Sequence, residues 1–346
     1  LFVFFSNDDV AIQSTIMQVF LGPDYDGSFT LGDHGSYEWW YVDALSPDNE
    51  WGAVVIAFRG MPMSPDYLVA MANQSAPPTE HWGYAVSVYH RGVRIAQAFR
   101  GVDGSNCRVS EVLCDVTVGP CNMYADAERV SLVVDTADDR LPNRVQLAID
   151  LVPTIVPSSA KAPFQENHAW VVAAPSAVGT MRVCISDAGN VLVREQVNVR
   201  GYHDHNVGRC PMQNDFDDWH WGRYHTDHGV FVYLGTNGCA WAGELWEGYA
   251  DVWRDVTIAP VERRLSRFGL LDPRRIRVQG VRRDGTNGTV DVVQRNVLDD
   301  GPFYRRYLAS WTIDGTPSGF GMSEYMDASR YRQAWIRPFL RLPWLR

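Results

Sequence analysis

Tyr37-Glu38-Trp39-Trp40-Tyr41-Val42-Asp43 opens a series of strand-like segments in the first half of the chain, and Asp218-Trp219-His220-Trp221-Gly222-Arg223-Tyr224 opens another in the second. Both are short aromatic runs carrying two tryptophans, a composition that suits a pleated, half-buried surface. Gly52–Phe58, Gly83–Tyr89, Val130–Val134, Val145–Leu151, Met181–Ile185 and Val191–Val199 follow the first opening. Val230–Leu234, Glu244–Asp251, Arg275–Arg282, Thr289–Asn296 and Tyr307–Ile313 follow the second. Turn signals separate them: Asp103-Gly104, Asp187-Ala188-Gly189-Asn190, Asn237-Gly238, Asp284-Gly285 and Asp314-Gly315. Only Pro260–Gly269 spaces its apolar residues as a helix would, at Val261, Leu265 and Phe268. Short strands joined by Gly- and Asp-rich turns predict an all-β protein with few short helices. The repeated opening predicts two related antiparallel barrels in tandem, 1–200 and 201–346.

A length of 346 residues allows two domains, and 46% hydrophobic against 21% charged residues is a globular balance. The net charge of −10 and the absence of a basic stripe argue against a nucleic-acid partner. Cys107, Cys114, Cys121, Cys184, Cys210 and Cys239 form no Cys-x-x-Cys pair, so they read as free thiols. Leu1–Phe5 is apolar but has neither a basic flank nor a cleavage motif, and Ala53–Phe58 is far too short to span a bilayer. A cytoplasmic protein is expected. Thirteen Trp, 15 Tyr and 14 Phe, clustered in a few places, suggest the walls of an apolar pocket.

The densest set of titratable groups is Gly201-Tyr202-His203-Asp204-His205-Asn206-Val207-Gly208. On a strand, Tyr202, Asp204 and Asn206 share one face while His203 and His205 share the other. A carboxyl on an apolar face keeps its proton to higher pH, because burial penalises the charged form, and it can then act as a general acid. A structural Asp satisfied by turn amides is the plainer alternative. A metal site is a second possibility: five of the nine His lie between 203 and 228. His203 and His205 would need a third ligand from His220, His225 or His228. Tyr37, Trp39, Trp40, Trp82, Trp170, Trp219 and Trp221 supply π faces able to stabilise a cation if they surround Asp204. No Walker loop, dinucleotide glycine fingerprint or Gly-x-Ser-x-Gly elbow occurs.

The segments Trp39–Ser46, Ile56-Ala57-Phe58, Ser64-Pro65-Asp66-Tyr67, Gly201-Tyr202-x-Asp204-x-Asn206-x-Gly208, Phe216-x-x-Trp219-x-Trp221, Pro302-Phe303-Tyr304 and Met322-x-Glu324 together resemble the carotenoid 1,2-hydratase (hydroxyneurosporene synthase) family. The resemblance implies two lipocalin-like barrels. It also implies an enzyme without cofactor or metal, which adds water across the terminal double bond of an acyclic carotenoid or terpenoid. The family's His-x-Trp and Tyr-x-Asp pairs fall on His168-Ala169-Trp170 and Tyr202-His203-Asp204. By that correspondence Asp204 protonates the alkene, and Trp170, helped by Trp39 or Trp40, stabilises the cation. His168 or Tyr202 orients the acid or the attacking water. Glu38, Trp39, Trp40, Asn206, Trp219, Trp221 and Glu324 are the expected substrate contacts. The chain departs from the family at His203 and His205, where apolar or small residues are usual, and at Val207, where an aromatic is common.

The same scaffold resembles terpenoid cyclases and decalin-forming pericyclases, and a lipid-binding lipocalin without catalysis is a further alternative. The expected partner is a hydrophobic isoprenoid. Tyr331–Arg346 places Arg332, Arg337, Arg341 and Arg346 among aromatic and aliphatic residues. Peripheral membrane contact and packing against the second barrel are both open for it.

Overall fold

The computed structural model describes residues 17–32, 34–159 and 162–333. Two sheets account for most of these residues, and each curls into a nearly closed barrel. The first has 12 strands, and its hydrogen-bonded path ends at Val93–Val102 on one side and Cys107–Val109 on the other. Only the turn at 103–106 separates those two ends in sequence, so the chain itself bridges the seam. Nine strands form the second barrel, ending at Tyr249–Val252 and Arg254–Leu265, with Trp253 alone between them. Pairing is antiparallel apart from Met17–Leu21, which runs parallel to His168–Asp187. Among the described residues the α-helices are Pro65–Ala72 and Met212–Asp215.

Both paired-tryptophan segments are strands with equivalent neighbours. Tyr37–Leu45 lies between the next strand, Trp51–Arg59, and the last strand of its sheet, Asn190–Gly208. Asp218–His225 lies likewise between Gly229–Thr236 and Thr316–Asp327. The turn residues act as expected: at Ala188-Gly189 and at Asp314-Gly315 both central residues have positive φ, as tight hairpins require.

Three expectations change. Pro260–Gly269 is not helical: residues 260–265 belong to the end strand Arg254–Leu265 of the second sheet, where a proline is tolerated and Val261 and Leu265 face solvent. Cross-strand pairing with Leu271–Val281 overrides the local spacing. Glu244–Asp251 is split by a hairpin at Glu247-Gly248, with Gly248 at φ 71°. The division at 200/201 falls inside Asn190–Gly208, which pairs with Tyr37–Leu45 through Gly208; the second sheet starts only at Asp218.

The barrel interiors are filled by Trp40, Val55, Val86 and Leu147 in one and by Phe231, Tyr233, Trp253 and Trp311 in the other. A third core lies between the barrels, where Tyr37, Trp39, Tyr41, Trp170 and Tyr202 meet Trp219, Trp221, Trp241 and Met322. No helix among the described residues is long and apolar enough to cross a membrane. The C-terminal segment proposed for membrane contact lies outside the described residues from 334 onward.

A buried ion pair ties the barrels together. Arg223 donates through Nε to Asp43 Oδ2 at 3.1 Å and through a second nitrogen to Oδ1, while its third nitrogen donates to His225 Nδ1 at 2.6 Å. Burial and the neighbouring Arg223 charge hold His225 well below the usual imidazole range, so the ring is a neutral acceptor. Asp43→Ala should therefore strand a buried guanidinium and lower stability by about 3–5 kcal/mol. Asp43→Leu combined with Arg223→Met should recover most of the loss. Urea denaturation of both variants measures the difference.

Candidate active site

The Asn190–Gly208 strand changes character along its length. It is largely exposed up to Arg200 and wholly buried from Gly201 to Gly208. The buried half has a barrel interior on one side and the second barrel on the other, so alternation sends its side chains into two different environments. Tyr202, Asp204 and Asn206 face the inter-barrel core, and His203 and His205 face into the first barrel. The flanking strands set Trp170 and Trp39 opposite Asn206, and Tyr41 opposite Asp204. Gly208 is needed as glycine, since a Cβ there would lie 2.1 Å from the Tyr37 ring.

Asp204 is 3% exposed and accepts three hydrogen bonds. Trp170 Nε1 and Tyr202 Oη donate to Oδ2 at 2.8 and 2.9 Å, and Asn206 Nδ2 donates to Oδ1 at 3.1 Å. Burial is the dominant influence and pushes its pKa up to about 7, even though the Trp170 and Tyr202 hydrogen bonds and the His203 charge act to lower it. With two donors on Oδ2 and one on Oδ1, the acid proton belongs on Oδ1. Burial, and then the Asp204 charge, hold the Tyr202 phenol well above its ordinary range, so it remains a donor.

Behind Asn206 stands His168. Its Nε2 lies 3.3 Å from Asn206 Oδ1 and its Nδ1 lies 3.0 Å from Tyr37 Oη. Desolvation drives its pKa down to about 3, against a raising hydrogen bond from Asn206, so the ring is neutral near pH 7. Because Asn206 presents its amide nitrogen to Asp204, its oxygen must accept from His168 Nε2–H, and Nδ1 then accepts from Tyr37. A directional chain Tyr37→His168→Asn206→Asp204 results.

Asp204 and Asn206 open onto a cavity of about 30 Å³ between the barrels. Trp39, Tyr41, Phe58, Trp219 and Trp221 form its aromatic walls, and Ile56, Met63 and Met326 its aliphatic ones. Glu324 and Tyr304 complete the lining from the second barrel. Glu324 Oε1 accepts from Arg306 Nε at 2.7 Å, and Arg306 also pairs with Asp299. The structure thus brings together Asp204, Asn206, Trp39, Trp219, Trp221 and Glu324 at the cavity, with Tyr202, His168 and Trp170 in direct support.

Glu38 and Trp40 lie on the opposite face. Glu38 is held by Arg59 at 2.6 Å and by His205 Nε2 at 3.0 Å, and Trp40 stacks on His205 inside the first barrel. Adjacent strand positions cannot share a face, which removes Trp40 from the cation-facing set. Trp82 is likewise in the first barrel's interior. Trp170 meets the acid through its N–H edge.

The histidine trio that a metal site on His203 and His205 would need does not assemble among the described residues. His203 donates Nδ1–H to Tyr41 O at 2.9 Å and faces Asp26 Oδ2 through Nε2 at 2.7 Å. Desolvation opposes charge on His203, but the Asp26 carboxylate and its hydrogen bonds prevail and raise the pKa. His220 stacks on Tyr325, His225 meets Arg223, and His228 is exposed. Cys114 completes a close set with Asp26 and His203. Tyr41, Met63 and Tyr304 were missed. Tyr41 was legible, since it lies two residues along the strand from Trp39; nothing local marked Met63 or the Asp26 contact.

Residues 55–345 match the carotenoid hydratase CrtC family. The chain belongs to that family. A hydroxyneurosporene dehydrogenase of Chlorobaculum tepidum is 29% identical over 85% of this chain and 83% of its own length. An acyclic carotenoid 1,2-hydratase of Cereibacter sphaeroides is 26% identical over 83% and 95%. One from Thiocapsa roseopersicina is 28% identical over 60% of this chain but only 49% of its own. In fold the chain is similar to CghA in complex with Sch210972 (TM-score 0.54, 12% identity, 91% of this chain and 97% of the other). It is also similar to an AttH-type protein of Nitrosomonas europaea (TM-score 0.51, 17% identity, 86% and 95%).

In this carotenoid hydratase family member the raised Asp204 pKa has a stability consequence. Between the unfolded value near 4 and the folded value of about 7, the native state holds a proton that the unfolded state has released. This contribution is full below pH 4 and is lost as pH rises through about 7. Asp204→Asn should remove that slope from a plot of stability against pH. Difference infrared spectra should show a protonated-carboxyl band in the parent at pH 6 that is absent from the variant and fades above pH 7.

Proposed function

We propose that this chain hydrates the terminal carbon–carbon double bond of an acyclic carotenoid or shorter isoprenoid, without a cofactor. The observation that carries this reading is a buried carboxyl fixed by three donors, with its pKa pushed up to about 7, facing a ring-walled, apolar cavity. Asp204 delivers its proton to the less substituted alkene carbon, and the positive charge develops on the tertiary carbon. Trp39, Tyr41, Trp219 and Trp221 surround that position with π faces, each contributing up to about 2 kcal/mol when desolvated. Trp170 and Tyr202 steady Oδ2 and take up the negative charge left on Asp204 as the proton departs.

The cavity of about 30 Å³ has room for roughly two waters and not for an isoprene unit, so the substrate end displaces side chains as it enters. Met63 and Met326, unbranched and polarizable, are the linings that yield at least cost.

Asp204→Asn should lower turnover by about 10²–10⁴-fold with an unchanged melting profile at pH 6. Because only the protonated acid is active, the parent rate should fall as pH rises through about 7. Product formed in ¹⁸O-labelled water should carry the label in a tertiary alcohol. An unlabelled cyclic product would identify a cyclase, and unchanged substrate a carrier.

A further inference from the structure

The cavity carries a second carboxylate, and its surroundings differ from those of Asp204. Glu324 projects from the second barrel with Oε1 bound to Arg306, its cross-strand partner. No hydrogen-bond donor among the described residues reaches Oε2. Beside it Tyr304 Oη is buried and has no partner, a costly state for a hydroxyl, and Trp221 Nε1 in the same cavity wall is a second unpartnered group. Tyr304 is close to Glu324 and Arg306, whose guanidinium carbon lies 5.3 Å from the centre of its ring. The space between these groups and Asp204 suits a water, which needs two to four polar partners and about 10–15 Å³ of the 30 Å³ present.

We propose that Glu324 and Tyr304 hold the attacking water, and that Glu324 is the base that receives its proton. This rests on the hydratase reading above. Asp204 gives its proton to the alkene, the water oxygen bonds to the tertiary cation, and one water proton passes to Glu324 Oε2. The cycle leaves Asp204 ionised and Glu324 protonated, and the next water carries the proton back. The two carboxyls come from different barrels, and the acid and the base are brought to one cavity where those barrels pack together.

The test uses the full chain in D₂O with an acyclic polyene bearing an unmodified 2-methylpropenyl end, followed by mass spectrometry of alcohol and recovered alkene. Glu324→Gln should reduce alcohol formation about 10²-fold while deuterium still enters the recovered alkene, because the cation forms and loses a proton instead of capturing water. Asp204→Asn should lose both. Tyr304→Phe removes a hydroxyl without a partner and should fold normally; about 10-fold less alcohol with exchange retained is expected. Parent-like hydration in either variant overturns the proposal, as does a Glu324→Gln protein that folds yet loses exchange together with alcohol. If the parent chain neither hydrates nor exchanges, the hydratase reading itself fails.

Discussion

Keeping water away from one carboxyl is the constraint around which this molecule is arranged. Asp204 stands on a strand belonging to the first barrel, yet the second barrel is what seals it in. Neither sheet alone would desolvate it: the face carrying Tyr202, Asp204 and Asn206 would be an outer barrel surface if Trp219, Trp221 and Trp241 were absent. The Asp43–Arg223 pair and the cluster of Asp299 with Tyr89, Arg94 and Arg306 both cross that junction. They hold the barrels in register about the acid, and such pairs are better at fixing geometry than at adding net stability.

The same strand separates two kinds of electrostatics. Toward the cavity the donors to Asp204 are neutral, indole, phenol and amide, backed by a histidine driven down to a pKa of about 3, and the carboxyl across the cavity, Glu324, is paired with Arg306. Toward the barrel interior lie charged partners, with His203 against Asp26 and His205 against Glu38 and Arg59. The two sides are coupled electrostatically, because the His203 charge joins the Trp170 and Tyr202 hydrogen bonds in lowering the Asp204 pKa against the larger effect of burial.

Much of the fold was legible because its signals are local. Hairpin turns need residues that accept positive φ, and Ala188-Gly189 or Asp314-Gly315 announce them from the sequence alone. Period-two alternation likewise placed Tyr202, Asp204 and Asn206 on one face before any coordinates. What local signals cannot carry is which face of Tyr37–Leu45 meets the second barrel. Trp39 and Trp40 look interchangeable in sequence, yet one lines the cavity and the other stacks on His205. The extent of Asn190–Gly208 was hidden for a similar reason: its buried half is polar, and only pairing with a strand 160 residues earlier reveals that it belongs to the first sheet.

Trp170 shows how geometry assigns a residue's work. An indole offers either its edge N–H or its π face to a given point, not both. Its N–H is committed to Asp204 Oδ2 at 2.8 Å, so in the reaction proposed above its part is to stabilise the carboxylate left once the proton has gone. A cation on the other side of that transfer must be met by other rings, and Trp39, Tyr41, Trp219 and Trp221 are the ones that reach the cavity. Under the proposed reaction, charge separation across the reacting bond would be matched by a division among aromatics: N–H and O–H donors where negative charge develops, cavity-lining rings where positive charge develops.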